Sequence, residues 1–240
     1  MDKLVIANWK MNLNLAEAEE LCSKIMDYYK KSEPKIIISP PSVYISYLAS
    51  IFPQMNFAGQ NISVVLEEFG AFTGEISAKM LKNLNVNYAI IGHSERRKNF
   101  AETNLCVKQK VLNAIKALVI PIICIGENLK TESMEEACKF LERQILESIP
   151  QTNSPIIIAY EPVWAIGTGS SPSREYLEII TQKIDEVISK VAKNYQIVYG
   201  GSVNGEKAKL FSTMQKLDGF LVGGASLNFE EFKEIVKAYA

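Results

Sequence analysis

Eight short apolar runs recur along this chain about every 31 residues, and this spacing limits the possible folds more than any other feature. The runs are rich in Ile and Val and begin near residues 3, 35, 55, 88, 121, 155, 196 and 219. None alternates cleanly between polar and apolar residues, which is typical of parallel strands buried on both faces. Because a strand–helix–strand unit takes roughly 30 residues, the sequence predicts eight such units.

Amphipathic stretches lie between the apolar runs. Residues 174–192 and 132–149 both repeat apolar side chains three and four positions apart, which predicts a helix with one buried face. No linker, low-complexity tract or change of composition divides the chain. We therefore expect one domain over residues 1–240.

Two α/β architectures could use such units. A (β/α)8 barrel, with eight parallel strands inside a ring of helices, typically takes about 250 residues, close to the 240 residues of this chain. A doubly wound open sheet would have a glycine-rich turn after its first strand. Here NWKMN at 8–12 follows the first run without a glycine, whereas glycines follow the last two runs, where barrels build phosphate sites. The sequence therefore predicts the barrel.

Charge and cysteine content exclude several classes of protein. The net charge is −1 with both signs interspersed, so we expect neither a nucleic-acid nor a membrane partner. No stretch approaches the roughly 20 apolar residues of a transmembrane helix, and the first apolar run is too short for a signal peptide. The four cysteines include no CxxC pair, which indicates four buried free thiols and a cytoplasmic protein.

Polar residues follow several of the runs, at strand ends that a barrel gathers around one mouth. Singly, each has a plain structural explanation: a solvated lysine, a helix cap or half of an internal salt bridge. Their convergence at one mouth makes them candidates for a site. They are Asn8 and Lys10 after the first run, His93 and Glu95 after the fourth, Glu161 after the sixth, Ser202 after the seventh, and Gly223 and Gly224 after the eighth.

The residue types in this set indicate a particular chemistry. Glu161 leaves an apolar strand, and desolvation would raise its proton affinity and make it a better base. His93 is the only histidine and precedes a predicted helix, whose positive end would keep the imidazole neutral. Lys10 offers a fixed positive charge, and glycine amides can approach an anion closely. Together they suggest proton abstraction beside a carbonyl on a small phosphorylated substrate, with no metal and no cofactor.

Seven motifs give the chain its resemblance to a known family. They are NWKMN at 8–12, GAFTGE at 70–75, IIGHSERR at 90–97, CIGE at 124–127, YEPVWAIGTG at 160–169, YGGSV at 199–203 and GFLVGGASL at 219–227. With these motifs the chain resembles the triosephosphate isomerases from end to end. The resemblance implies a reaction that interconverts dihydroxyacetone phosphate and D-glyceraldehyde 3-phosphate through an enediolate, in glycolysis and gluconeogenesis.

The resemblance also implies roles for single residues. Glu161 would be the base, His93 the electrophile that relays protons between the enediolate oxygens, and Glu95 a supporting residue. Asn8 and Lys10 would hold the substrate's oxygens and stabilise negative charge. Thr73 would reach the neighbouring site in a homodimer. The phosphate would rest on amides of Gly167, Ser202, Gly223 and Gly224, and Arg96 would form a structural ion pair with Glu102.

The chain departs from the family pattern in two places. Ser170-Ser171-Pro172 replace a common Lys-Thr-Ala, within a segment, 162–172, that we interpret as a lid over Glu161. The segment 189–196 is shorter than usual. Two alternatives stay open from sequence: another phosphosugar barrel enzyme, and a catalytically inactive phosphosugar-binding barrel.

Overall fold

The computed structural model describes residues 2–29, 34–127, 133–165 and 171–239. Its centre is a closed barrel of eight parallel strands in chain order, completed where the first strand pairs with the last, Leu4 opposite Gly219. A side chain at Gly219 would place its Cβ 2.0 Å from the Leu4 carbonyl oxygen, so only glycine permits this closure. The strands are β1 (Leu4–Asn8), β2 (Lys35–Ser39), β3 (Asn56–Gly59), β4 (Tyr88–Ile91), β5 (Ile120–Ile125), β6 (Ile156–Tyr160), β7 (Tyr195–Tyr199) and β8 (Gly219–Val222).

Helices follow the strands and surround them. Most begin where a Ser, Thr or Asn side chain accepts an amide hydrogen of the first turn, as Asn14, Thr103 and Ser173 do. Within the described ranges the helices are α1 (Leu15–Tyr28), α2 (Ser42–Ile51), α3 (Ala78–Asn83), α4 (Ser94–Asn99), α5 (Asn104–Lys116), α6 (Met134–Ser148), α7 (Arg174–Ile188), α8 (Gly205–Ser212) and α9 (Phe229–Val236). Short 3-10 turns occupy Val163–Ala165, Gly224–Leu227 and Lys237–Tyr239.

Alternate strand residues face two separate apolar layers. In β1, Leu4 and Ile6 point into the barrel, whereas Val5 and Ala7 pack outward against the helices. All of them are almost fully buried, which explains why the apolar runs lack polar alternation. Because both faces of every strand are covered, the polar residues at the strand ends emerge only at the barrel mouth.

The predicted (β/α)8 barrel is confirmed, and each strand begins within one residue of its predicted position. The helix predicted over 174–192 ends at Ile188, where the chain turns towards β7. The prediction of four buried thiols is wrong for Cys106 and Cys138, which are partly exposed; Cys22 and Cys124 are buried, and all four are unpaired. Among the described residues, no helix has the length and apolar character needed to cross a membrane.

Candidate active site

The carboxyl ends of β1, β4, β6, β7 and β8 enclose a cavity of about 360 Å³. Seven of the predicted site residues line it: Asn8, Lys10, His93, Glu161, Ser202, Gly223 and Gly224. Glu95 does not line this cavity, and Gly167 lies outside the described residues. The barrel therefore brings together most of the predicted site residues, although Asn8 and Gly224 are 216 positions apart in the sequence.

Glu161 follows β6 and is held in a buried position, with 2% of its surface exposed. Its carboxylate accepts a hydrogen bond from the Ser94 amide at 3.0 Å and lies 3.1 Å from Nε2 of His93. Backbone bonds fix its main chain, since its own amide donates to Ile125 at 2.7 Å. A Cβ on Gly126 would lie 1.6 Å from the Glu161 carbonyl oxygen, so a glycine there lets the ends of β5 and β6 approach.

His93 is the N-cap of α4, and this position determines which of its ring nitrogens accepts a hydrogen bond and which can donate one. Nδ1 accepts the amide hydrogen of Glu95 at 3.2 Å, and Nε2 faces the carboxylate of Glu161. A nitrogen that accepts a hydrogen bond has no proton of its own, so this geometry corresponds to a neutral imidazole protonated on Nε2.

The close approach of Glu161 and His93 shifts the pKa of each. Burial alone would raise the pKa of Glu161, but His93 and the Ser94 amide lower it more. Burial alone would lower the pKa of His93, but the Glu161 carboxylate raises it more, with a smaller contribution from Glu95. The pKa of Glu161 therefore lies below its ordinary value and that of His93 above it. From burial and the helix dipole alone, the sequence predicts a raised pKa for Glu161 and a lowered pKa for His93. Both predicted directions are wrong for the free site.

Lys10 adopts a backbone conformation that is uncommon for a side-chain-bearing residue, with φ of 52°. Its amide donates to the Asn8 side chain at 3.1 Å, and its carbonyl accepts from Gln60 at 2.7 Å. These contacts stabilise a strained turn that aims the lysine at the cavity, and strain of this kind is found at functional sites. The ammonium lies 2.6 Å from the Glu95 carboxylate.

Part of the cavity wall presents backbone rather than side chains. Gly223 and Gly224 precede and open a 3-10 turn after β8, and a Cβ on Gly224 would meet nothing within 4 Å, so the cavity reaches the main chain there. Ser202 also lines the cavity, while its hydroxyl donates to the Ala165 carbonyl at 3.0 Å. An accessible run of amides of this kind is suited to an anion such as a phosphate.

Two charged residues near the site are absent from the set predicted from sequence. Glu127, which lies just past the end of β5, is buried, and one of its oxygens accepts hydrogen bonds from Tyr160, Trp164 and Tyr176 at 2.7–3.2 Å. It thereby fixes the 3-10 turn after Glu161. The strand-end rule that identifies the polar residues after β1, β4 and β6 would also identify Glu127. Lys207, in the first turn of α8, lines the cavity and has no signal in the strand-end pattern.

Glu95 lines a second cavity, of about 500 Å³, which shares Asn8, Lys10 and His93 with the first. Two of the apolar residues that line this cavity are largely exposed, since Met11 is 95% exposed and Phe100 65% exposed. Phe69 precedes the loop 70–75 and Phe72 lies within it, and both are exposed, as is Thr73 at the loop's tip.

The predicted ion pair between Arg96 and Glu102 is present and belongs to a larger cluster. Glu102 also accepts from Lys110 at 2.5 Å, and Lys110 in turn donates to Asn61 at 2.8 Å. Since Lys110 is itself almost fully buried, these charges link α4, α5 and the chain after β3. Their role is structural, because none of them lines the cavity that contains Glu161.

A closed parallel barrel with a carboxylate, an imidazole, a lysine and exposed backbone amides around one mouth places the chain among the (β/α)8-barrel enzymes. The triosephosphate isomerase family model matches residues 3–239. The chain is also 43% identical to the triosephosphate isomerase of Francisella tularensis subsp. mediasiatica, covering 98% of this chain and 96% of that protein. The Rhodopirellula baltica triosephosphate isomerase is 38% identical with the same coverage.

The chain belongs to the triosephosphate isomerase family, and the predicted resemblance is confirmed. Its reaction is the interconversion of dihydroxyacetone phosphate and glyceraldehyde 3-phosphate. This assignment excludes the alternative of another phosphosugar barrel enzyme. It also disfavours an inactive barrel, since both the carboxylate and the imidazole are in place.

Proposed function

We propose that Glu161 is the base of this isomerase and His93 its neutral electrophile. The observation that carries the proposal is their contact at 3.1 Å inside the cavity, which Lys10, Gly223 and Gly224 also line. Glu161 takes a proton from C1 of dihydroxyacetone phosphate, which leaves an enediolate, and returns a proton to C2. His93 donates from Nε2 to the substrate's carbonyl oxygen and relays the proton between the two oxygens.

In the free site the pKa shifts of the pair are the reverse of those that a strong base and a neutral electrophile need, so the proposal requires substrate binding to change them. In the free site His93 lowers the pKa of Glu161, which burial alone would raise, and Glu161 raises the pKa of His93, which burial alone would lower. A substrate that enters between them separates the charges and replaces water. Burial then dominates, so that Glu161 becomes a stronger base and His93 is held neutral. The substrate itself thus prepares both groups for proton transfer.

Asn8 and Lys10 complete the reacting end of the proposed site. The Lys10 ammonium stabilises negative charge on the enediolate, and its pairing with Glu95 fixes its position. Glu95 acts through Lys10 and through its amide on His93, and is therefore a positioning residue. The phosphate rests on the amides at Ser202, Gly223 and Gly224, and Gly167 stays a prediction for a further donor.

The function is tested by running the reaction from dihydroxyacetone phosphate in deuterated water. A base that exchanges its proton with solvent should leave deuterium on C2 of the glyceraldehyde 3-phosphate formed, detectable by NMR or mass spectrometry. Product without solvent deuterium would indicate an internal hydride shift and contradict the role of Glu161. Cleavage or epimerisation products would contradict the isomerase reaction itself.

The mutual effect of the pair is tested by titrating His93, whose ring gives the only histidine signals in an NMR spectrum. In the free protein we expect its pKa to lie above the ordinary value of about 6.5. In Glu161→Gln the carboxylate is gone while burial remains, so the pKa should fall below the wild-type value. Glu95→Gln removes a more distant carboxylate, 3.7 Å from Nδ1, and should lower it less. An unchanged pKa in Glu161→Gln would contradict the assigned cause.

We also propose that the working form is a homodimer in which the loop 70–75 of one copy enters the second cavity of the other. Met11 and Phe100, which line that cavity, and Phe69 and Phe72, at the loop, are all exposed; they support this pairing, since exposed apolar surfaces of this kind are usually covered. Thr73 would then lie next to Lys10 and Glu95 of the second copy, and each site would depend on both chains.

A cytoplasmic location stays part of the proposal. It is supported by the four unpaired cysteines, which suit a reducing compartment.

A further inference from the structure

Arg97 is the last residue of the motif IIGHSERR, and it does not line the catalytic cavity. It lies in α4 and is partly buried. Its neighbour Arg96 pairs with Glu102, whereas Arg97 forms no ion pair with a carboxylate in the part of the chain that the structure describes; its guanidinium donates to neutral oxygens instead. Because a cation withdrawn from water without a carboxylate partner is costly, its contacts need an explanation.

The guanidinium joins the ends of two neighbouring strands. Its Nε donates to the Gly92 carbonyl at 2.8 Å, just past β4, and its Nη2 donates to the Cys124 carbonyl at 3.2 Å, in β5. Its Nη1 donates to the Asn104 side chain at 2.7 Å, at the start of α5. Because a guanidinium is planar and its N–H groups have fixed directions, these three bonds hold the three segments in one relative position.

The segment just past β4 carries both groups that contact the Glu161 carboxylate. Gly92 has φ of 67°, and a Cβ there would lie 3.0 Å from Nη2 of Arg97, so the guanidinium packs directly against this left-handed turn. The next two residues are His93, whose Nε2 lies 3.1 Å from the carboxylate, and Ser94, whose amide donates to it at 3.0 Å. Arg97 therefore holds the turn from which both contacts are made.

The contact with β5 concerns the backbone of Glu161. Ile125 follows Cys124, and its carbonyl accepts the Glu161 amide hydrogen at 2.7 Å. A shift of this end of β5 would therefore move Glu161. Charge acts in the same direction: burial lowers the pKa of Arg97, and the Glu161 carboxylate is among the groups that oppose this effect. Since the attraction is mutual, Arg97 also favours the ionised form of Glu161, which is the form that can accept a proton.

We propose that Arg97 is a positioning residue of the isomerase, which holds the turn of His93 and the end of β5 so that the imidazole faces the Glu161 carboxylate. The inference rests on the proposed function, because it assigns Arg97 to the same two groups. Arg97 acts through the backbone on either side of the site and takes no part in the proton transfer.

The first test compares Arg97→Lys with Arg143→Lys. Lysine keeps the charge but cannot reproduce the planar fork, so Arg97→Lys should lower kcat roughly 10- to 100-fold and change KM less than about twofold. Arg143 is exposed on α6 and lines neither the catalytic cavity nor the one beside Arg97, so Arg143→Lys should match the wild type. Equal kcat values for the two variants would overturn the proposal.

The second test restores the missing group from solution. Arg97 lines a separate cavity of about 680 Å³, through which a small cation can reach its place. In Arg97→Ala, guanidinium chloride at concentrations far below those that unfold the protein should restore part of kcat, because the free ion can donate to the same carbonyls. Ammonium chloride should restore less, since it has the charge without the fork.

Absent rescue, or equal rescue by the two salts, would contradict the role of the fork. If Arg97→Ala does not fold, the kcat of Arg97→Lys, measured well below its melting temperature, decides the question. A lowered melting temperature with kcat unchanged per folded molecule would assign Arg97 a purely structural role and overturn the proposal.

An NMR titration of His93 distinguishes this inference from the proposed function, since it needs no turnover. Arg97→Lys retains the charges that act on His93, those of Glu161, Lys10 and Glu95, so a change of its pKa reports geometry. The pKa of His93 should fall in this variant, because burial lowers it and a more distant Glu161 carboxylate opposes burial less.

The two possible failures give different results. If the wild type failed to isomerise but the pKa of His93 still fell in Arg97→Lys, the catalytic roles would be wrong and Arg97 would still position the pair. If the wild type isomerised normally and Arg97→Lys changed neither kcat nor the pKa of His93, the assignment of Arg97 would be wrong.

Discussion

Replacing Glu161 with glutamine is expected to lower kcat by at least the ~10²–10⁴-fold typical of a lost general base, with little change in KM. The amide keeps the shape and the burial of the side chain but cannot accept the substrate's proton. Because the phosphate is proposed to rest on the backbone amides at Ser202, Gly223 and Gly224, the loss of the Glu161 carboxylate should leave phosphate binding largely intact. Steady-state kinetics in both directions, with a coupled assay, measure the effect.

Two control variants show whether the loss of activity is due to the missing base. Glu161→Asp retains the carboxylate but withdraws it by one methylene, so its kcat should fall between those of the wild type and Glu161→Gln. Glu178→Gln neutralises an exposed carboxylate on α7 and should behave as the wild type. A Glu161→Gln enzyme with half of the wild-type kcat would remove Glu161 from the role of base.

Thr73→Arg is expected to yield monomers whose activity is about 10²-fold lower. In the proposed homodimer this loop tip packs beside Lys10 of the second copy, where a second cation would be repelled. Loss of the contact exposes the strained turn at Lys10 and allows the lysine to move. Because misplacing a catalytic group by about 1 Å can cost this much, the activity should fall although no catalytic residue has changed.

Sedimentation velocity and activity should be measured on the same samples over a range of concentrations. Ile179→Arg places the same charge on an exposed position of α7, outside the loop and the second cavity, and should remain an active dimer. A Thr73→Arg protein that sediments as the wild type does would place the interface elsewhere. A fully active monomer would show that the neighbouring copy contributes nothing to the site.

The strands can be predicted from sequence because their signal is local. A strand buried on both faces must be apolar throughout, and the covalent spacing of strand–helix units repeats along the chain. Both properties are visible without knowing any contact, which is why the predicted starts of KLVIAN and PIIIAYE agree with the structure to within one residue. Helix ends are predicted less well, since the stop of α7 at Ile188 depends on the turn beyond it.

Once the barrel is predicted, it can also be predicted that the site residues come together at one mouth. Once the strands are parallel and in order, their carboxyl ends meet at one mouth, and Lys10, His93 and Glu161 are brought together by topology alone. Glu127 obeys the same rule, but its importance is not visible in the sequence, because its three hydrogen-bond partners come from distant parts of the chain.

The sequence by itself determined the residue types, their order and the strand at whose end each one stands. Only the tertiary structure decided how those groups affect one another: that Glu161 lies against His93, that Lys10 is paired with Glu95, and that Lys207 lines the cavity. The reason is that hydrophobic periodicity reports the burial of each segment separately. A pKa depends on charges a few ångströms away, whose identity is fixed by the packing of segments far apart in the chain.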